Sequence, residues 1–181
     1  MVTHRSQLTI ILGSPASGKT TLARRLAHER SWPCLCKDDV KEALFDALGT
    51  GDREWSRRLS EASFAVLARL ARVQLGLGGS VIVEGNWRAA HAPLLAHALE
   101  AARARAVQIW CRAPPEEIWR RFTQRLRHPG HLDAEMPRAA LESAAALAPS
   151  FLDLPAERLV FDSDAPDAYD VLMRTLEATA L

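Results

Sequence analysis

QLTIILGSPASGKTTLARR, residues 7–25, is the stretch that decides the fold of this chain. Within it Gly13, Gly18, Lys19 and Thr20 satisfy the phosphate-loop pattern G-x-x-x-x-G-K-[ST]. A short β-branched apolar run precedes the loop, and apolar residues at helical spacing follow it. The sequence therefore predicts a strand, a glycine loop and a helix in that order, which is the arrangement that binds phosphate groups.

Each part of this loop has a physical role in holding phosphates. Gly13 and Gly18 allow backbone angles that place several N–H groups around one anion, and the helix start adds the positive end of its dipole. Lys19 reaches the β- and γ-phosphates, and the Thr20 hydroxyl ligates Mg²⁺. A plain glycine turn before a helix would need neither of these two side chains, so we expect ATP and Mg²⁺ as cofactors. The other loop residues predicted to bind the nucleotide are Ser14, Ala16, Ser17 and Thr21.

The composition is that of an ordinary globular protein. Of the 181 residues, 48% are hydrophobic and 25% are charged, and the formal net charge is +1. This length fits a single domain over residues 1–181, and the balanced charge favours neither nucleic acid nor a membrane surface as a partner. No apolar run approaches the ~20 residues of a membrane span, and the run at 8–12 is too short for a signal peptide. We expect a cytoplasmic protein that is a monomer or a homodimer.

Strand-like and helical segments alternate along the whole chain. The strands are predicted over residues 8–12, 33–37, 81–83, 106–110 and 158–161. The helices are predicted over residues 21–30, 39–48, 52–75, 89–102, 115–127, 139–148 and 168–178. This alternation predicts an α/β fold of three layers, in which a five-stranded parallel sheet carries helices on both faces. Ligands of such sheets bind at the carboxyl ends of the strands, and the polar candidates that follow all lie at such ends.

Acidic side chains follow the second and third predicted strands. The second strand ends in Lys37-Asp38-Asp39, where Asp39 fits the N-cap of the next helix. Asp38 is then free to face the phosphates and to accept the proton of an attacking hydroxyl. After the third strand, Glu84 serves either the magnesium ion, as a Walker B carboxylate does, or the acceptor, and Asn86 contacts either partner. The alternative interpretation is that all of these are caps or surface turns.

Basic side chains cluster after the fourth predicted strand. Several arginines lie in or directly after the predicted helix 115–127, and Arg121 and Arg125 are four residues apart, hence on one helical face. Phosphoryl transfer needs cations over the moving phosphate, and a mobile lid often supplies them. A solvated basic helix face is the alternative for any single arginine.

With these motifs the chain resembles the AAA-type "predicted kinase" group of P-loop kinases, whose members include polynucleotide 5′-kinase, chloramphenicol phosphotransferase and zeta toxin. The segments that carry the resemblance are residues 13–21, 37–49, 81–86, 110–125 and 127–131. The resemblance implies a P-loop NTPase fold with a small helical lid at about 114–135, and ATP- and Mg²⁺-dependent phosphorylation of a hydroxyl. It also implies that Asp38 is the general base and that Arg121 and Arg125 are the lid arginines.

Two departures from the group bear on the acceptor. Polynucleotide kinases have an arginine where this chain has Lys41, which weakens the case for a nucleic-acid acceptor, and some relatives have Asp in place of Glu84. We predict transfer of the γ-phosphate of ATP to a hydroxyl of a small molecule. A nucleic-acid 5′-hydroxyl kinase is one alternative, and an ATP-binding switch or ATPase without an acceptor is another. The predicted catalytic residues are Lys19, Asp38, Arg121 and Arg125, and the predicted acceptor-binding residues are Asp38, Lys41, Glu84 and Asn86.

Overall fold

Five parallel strands form the centre of the structure, a computed structural model that describes residues 5–178. The strands are β1 (Gln7–Gly13), β2 (Cys34–Cys36), β3 (Val81–Glu84), β4 (Arg105–Arg112) and β5 (Glu157–Asp162). They are hydrogen-bonded in the order β2-β3-β1-β4-β5, and every pairing is parallel. The predicted five-stranded parallel sheet is confirmed, and β1, which leads into the glycine loop, lies at its centre.

Helices connect the strands. They are α1 (Lys19–Arg30), α2 (Lys37–Leu48), α3 (Arg53–Gly76), α4 (Ala92–Ala102), α5 (Pro115–Gln124), α6 (Arg138–Ala146) and α7 (Ala168–Ala178). Short 3₁₀ turns lie at Ala89–His91, Pro129–His131 and Asp133–Glu135. The predicted single domain spans residues 1–181, of which residues 1–4 and 179–181 lie outside the described part of the structure. The first four belong to the N-terminal segment on which the signal-peptide prediction rests.

Apolar side chains on both faces of the sheet hold the layers together. Successive residues of β1 point to opposite faces, so that Ile10 and Leu12 pack with α3 and α4, whereas Ile11 packs with α1 and α7. All three side chains are fully buried. The sheet is therefore covered on both faces, as parallel sheets require, and the predicted three-layer α/β fold is confirmed.

A third, smaller apolar cluster joins α5 and α6 beside the sheet. It consists of Ala113, Ile118, Phe122 and Leu141, and it is separate from the two clusters that cover the sheet. The segment predicted as a lid, about 114–135, contains α5, which contributes Ile118 and Phe122 to this cluster, and the residues that follow α5. Within residues 5–178, no helix combines the length and the apolar character needed to cross a membrane.

Candidate functional site

A cleft of about 470 Å³ opens at the carboxyl ends of the central strands. Its walls come from the glycine loop, the first turns of α2, the loop after β3, and the chain from α5 to residue 136. The predicted site residues that line it are Ala16, Gly18, Lys19, Thr20, Thr21, Asp38, Lys41, Glu84, Asn86, Arg121 and Arg125. Gly13, Ser14 and Ser17 are not on its lining. The structure therefore brings the acidic, basic and glycine motifs of the sequence to a single place.

The glycine loop has backbone angles that explain its glycines. Gly13 has φ +140° and Gly18 has φ +91°, a region that residues with a side chain rarely adopt. A Cβ atom at Gly13 would also overlap the carbonyl oxygen of Cys111 on the neighbouring strand β4. Gly18 is the N-cap of α1 and offers no side-chain acceptor, so the first N–H groups of the helix are available to an anion.

Lys19 is buried at the start of α1, and its ammonium lies against the glycine loop. Its Nζ donates a hydrogen bond to the carbonyl oxygen of Ser14 at 2.7 Å, which curls the side chain back over the loop. Burial lowers the pKa of Lys19, and the negative charge of Glu84 opposes that shift. A phosphate group would supply the negative charge that this buried ammonium lacks.

Thr20 and Glu84 form an oxygen pair at the floor of the cleft. The Thr20 hydroxyl donates to Glu84 Oε2 at 3.2 Å, and Glu84 is buried at the end of β3. Burial raises the pKa of Glu84, while Lys19 and the Thr20 hydrogen bond act in the opposite direction. Hydroxyl and carboxylate oxygens are the ligands that Mg²⁺ prefers, so these two residues fit the ion that the sequence predicts.

Asp38 is held as a carboxylate by cations on two sides. Lys37 Nζ lies 3.0 Å from its Oδ1, and Arg127 Nη2 lies 2.5 Å from its Oδ2. Burial alone would raise the pKa of Asp38, but Lys37, Arg127 and His131 together hold that pKa well below its usual range. The group facing the cleft at this point is therefore an ionised base at neutral pH.

The prediction that Asp39 caps α2 is wrong. α2 begins at Lys37, two residues earlier than predicted, with Cys36 in the N-cap position and no side-chain cap. β2 runs into the helix without an intervening loop, so Asp39 lies in the first turn, where acidic residues are favourable through the helix dipole. Its exposed carboxylate pairs with Arg24 at 3.1 Å, away from the cleft.

The prediction that Arg121 and Arg125 share one helical face is also wrong. α5 ends before Arg125, whose backbone is extended. Leu126 would continue the apolar stripe of a longer helix, yet it is fully exposed, because the chain turns toward Asp133 instead. Arg125 donates to that carboxylate at 2.8 Å, and Arg127 pairs with it at 3.4 Å. Arg121 and Arg125 both line the cleft, Arg121 from α5 and Arg125 from the residue that follows it.

Arg121 reaches back toward the end of β5. It pairs with Glu117 at 2.5 Å, one turn earlier on α5, and it donates to the Ser163 hydroxyl at 2.7 Å. Gly18 lies against the same serine, since a Cβ atom there would come within 2.8 Å of the Ser163 Cβ. Arg121 therefore lies beside the glycine loop, where it can approach a bound phosphate.

Arg127 is the site residue that sequence reasoning missed. It bridges Asp38 on α2 and Asp133 on the lid segment, and its Nη2 also contacts the ring of His131 at 2.9 Å. His131 in turn pairs with Glu42 on α2 at 2.8 Å. The only sequence signal was the position of Arg127 in the RHPGH segment, because nothing in the local spacing points to Asp38.

Gly130 packs closely against Phe45 of α2, and this contact can be tested. A Cβ atom at Gly130 would come within 2.7–2.8 Å of three ring atoms of Phe45, a fully buried side chain. We expect Gly130→Ala to lower the free energy of unfolding by about 1–3 kcal/mol, the usual cost of overpacking. Gly76→Ala, in α3 with open space around it, is the matched control, and urea unfolding measures both. Equal stability of the two variants would contradict this close packing.

Residues 8–149 of the chain match the model of a protein family described as an AAA domain. A solved structure of a proposed kinase from Chloroflexus aurantiacus J-10-fl is 34% identical to the chain and has a TM-score of 0.84. That alignment covers 96% of this chain and 98% of the other. The likeness therefore extends over nearly the whole fold, including the lid segment.

More distant structures share the fold alone. A sugar kinase from Janibacter sp. HTCC2649 is 20% identical, with a TM-score of 0.63 and coverage of 95% and 93% of the two chains. The APS kinase of Mycobacterium tuberculosis, solved with AMPPNP and APS, is 21% identical, with a TM-score of 0.60 and coverage of 96% and 98%.

Curated relatives are longer proteins. Uncharacterised proteins of Mycobacterium tuberculosis and Mycobacterium bovis are 35% identical to the chain over 88 residues, which cover 45% of this chain and 18% of each relative. The match therefore spans less than a fifth of the length of these relatives.

Proposed function

The chain belongs to the AAA domain family, in the group of P-loop kinases, and on that premise we propose that it transfers the γ-phosphate of ATP to a hydroxyl of a small-molecule acceptor. The kinase-like fold and the phosphate loop support phosphotransfer in general. The identity of the acceptor class is our proposal, as are the roles of the individual side chains and the need for Mg²⁺.

The observation that carries this proposal is the position of Asp38, a carboxylate that lines the cleft and pairs with Lys37 and Arg127. A kinase takes a proton from the acceptor hydroxyl as the new P–O bond forms, and a carboxylate within hydrogen-bond reach does this. Lys37 and Arg127 each occupy one oxygen of Asp38, which leaves a second lone pair on each oxygen for the acceptor. Asp39, the other acid of this segment, faces away from the cleft and cannot take this role.

The remaining side chains divide between the two substrates. Lys19 and the N–H groups at the start of α1 hold the nucleotide phosphates. Arg121 and Arg125 bring positive charge to the phosphoryl group that is being transferred. Thr20 and Glu84 would hold Mg²⁺, and the bound ion would offset the negative charge of the nucleotide phosphates. Asn86 lies on the exposed edge of the cleft, where its amide can orient the acceptor.

The arginine-bearing segment is the proposed lid, and its closure can be measured. We expect hydrogen exchange in residues 120–131 to slow when AMPPNP and Mg²⁺ bind, because arginines drawn to the phosphates order the segment and exclude water. Exchange in α4, which packs under the sheet away from the cleft, serves as the internal control. Unchanged exchange in 120–131 at saturating nucleotide would mean that this segment is not a lid.

A screen of hydroxyl compounds with γ-labelled ATP tests the proposed function. We expect label to move from ATP to at least one small alcohol, sugar or related compound, with ADP as the second product. A 5′-hydroxyl oligonucleotide belongs in the same screen. Label transferred to the oligonucleotide alone, or label released only as inorganic phosphate with every compound, would contradict small-molecule phosphotransfer.

A further inference from the structure

Lys41 is a buried cation that has no carboxylate partner among the described residues. Its side chain lines the cleft, although only 5% of the residue is exposed. Its Nζ donates to the Ser56 hydroxyl at 2.8 Å, and that hydroxyl donates onward to the carbonyl oxygen of Gly130 at 2.9 Å. The Phe45 ring lies 5.1 Å away. An ammonium has three donors, so two of them lack a protein acceptor in this part of the structure.

The charges around Lys41 do not neutralise it. Asp38 is already shared by Lys37 and Arg127, and Asp133 is shared by Arg127 and a second lid arginine. Burial, with the nearby positive charges of Lys37 and Arg127, lowers the pKa of Lys41 to about 8 against the opposing pull of the two aspartates. A buried ammonium without a counter-charge is costly, and an anionic group on a ligand would offset that cost.

Lys41 also lies where an acceptor would be. It is three residues after Asp38 on α2, so the two side chains are neighbours on one helical face, and both line the cleft. The nucleotide phosphates have Lys19, the first N–H groups of α1 and the lid arginines as partners. Lys41 is therefore available to a group on the acceptor, next to the hydroxyl that Asp38 would deprotonate.

We propose that the acceptor carries an oxyanion, a carboxylate or a phosphate monoester, and that Lys41 binds it. This inference rests on the proposed function, because it concerns the second substrate of that reaction. It narrows the acceptors to hydroxy acids and to phosphorylated alcohols or sugars. The positive charges of Lys37 and Arg127 lie near Lys41 and add to the electrostatic potential that favours an anion beside it.

Matched acceptor sets test this proposal directly. Glycerol, glycerate and glycerol 3-phosphate share one skeleton, as do ribose, ribonate and ribose 5-phosphate, and the carboxylate and phosphate members separate the two oxyanions. We expect an anionic member to exceed its neutral parent in kcat/KM by about tenfold or more, the effect of one hydrogen bond between charged groups. Equal use of neutral and anionic members would overturn the proposal.

Variants at Lys41 assign the preference to this side chain. Lys41→Met keeps the length of the stem and should remove the anionic preference, whereas Lys41→Arg keeps the charge and should retain most of it. Arg69→Met, which removes an exposed cation of α3 that does not line the cleft, is the control for net charge. An anionic preference that survives in Lys41→Met would overturn the proposal.

Sulfate binding separates this inference from the proposed function. If no compound accepts phosphate, the proposed function fails, and calorimetric titration of sodium sulfate into the complex with AMPPNP and Mg²⁺ then decides the anion site by itself. Bound nucleotide occupies the phosphate loop in this experiment, so sulfate reports on the remaining cations. Binding to the wild type that is lost in Lys41→Met would support the site, and absence of binding to the wild type would overturn it.

Discussion

Replacing Lys19 by Ala is expected to lower ATP-dependent turnover by at least about 10²–10³-fold, the loss seen when one preorganised electrostatic partner of a transition state is removed. Lys19 is the buried cation at the glycine loop, and its ammonium donates a hydrogen bond to the carbonyl oxygen of Ser14 in that loop. Steady-state turnover and the dissociation constant of AMPPNP, measured on the same preparation, test this expectation.

Two further variants keep the Lys19 result interpretable. Removing Lys19 takes away a positive charge that acts on the buried Glu84, so thermal unfolding must show that the variant is folded. Lys19→Met retains the apolar stem for comparison. Arg24→Ala removes a cation from the exposed side of the same helix, together with its surface ion pair to Asp39, and should cost little. Near-normal turnover in folded Lys19→Ala would remove the glycine loop from the catalytic site.

Replacing Asp38 by Asn is expected to lower transfer to the acceptor by roughly 10²–10⁴-fold, the usual span for general acid–base catalysis. Asn keeps the shape and one acceptor oxygen but loses the charge and most of the basicity. ATP affinity should change little, because the glycine loop holds the nucleotide. Acceptor turnover and the ATP dissociation constant of the variant provide the test.

The ion pair of Asp38 with Arg127 needs its own control. Asp133→Asn removes the other carboxylate of the same arginine and leaves Asp38 in place. A loss caused only by a loosened lid would appear equally in Asp133→Asn, whereas a loss of the base would be specific to Asp38→Asn. Intact turnover in Asp38→Asn would leave Glu84 and Asp133 as the acids that line the cleft. Loss of ATP binding would place Asp38 with the magnesium ligands.

Much of the fold was accessible from the sequence because its signals are local. The glycine loop is encoded in consecutive residues, and strands buried on both faces read as short apolar runs, as in β1 and β3. The alternation of strands and helices then restricts the topology to a parallel sheet. The convergence of Asp38 and Glu84 near Thr20 follows from that topology, because Glu84 ends β3 and the other two lie in the first turns of the helices that follow β1 and β2.

The parts that sequence reasoning missed depend on contacts between distant residues. Whether Asp39 caps a helix depends on where β2 ends, and the strand ends against the last residue of β3 at Cys36. α5 ends at Gln124, and beyond it Arg125 and Arg127 both pair with Asp133, a residue outside the helix. The pairing of Arg127 with Asp38 spans 89 residues, and no local pattern encodes it.

The fate of the γ-phosphate in a single turnover tests the central claim most directly. Enzyme in excess over γ-labelled ATP and Mg²⁺ is mixed with the best acceptor from the matched sets, and the label is followed in both products. We predict that most of the label appears on the acceptor hydroxyl, and that release of inorganic phosphate without acceptor is much slower. Release of all label as inorganic phosphate, at a rate that the acceptor does not change, would contradict the account.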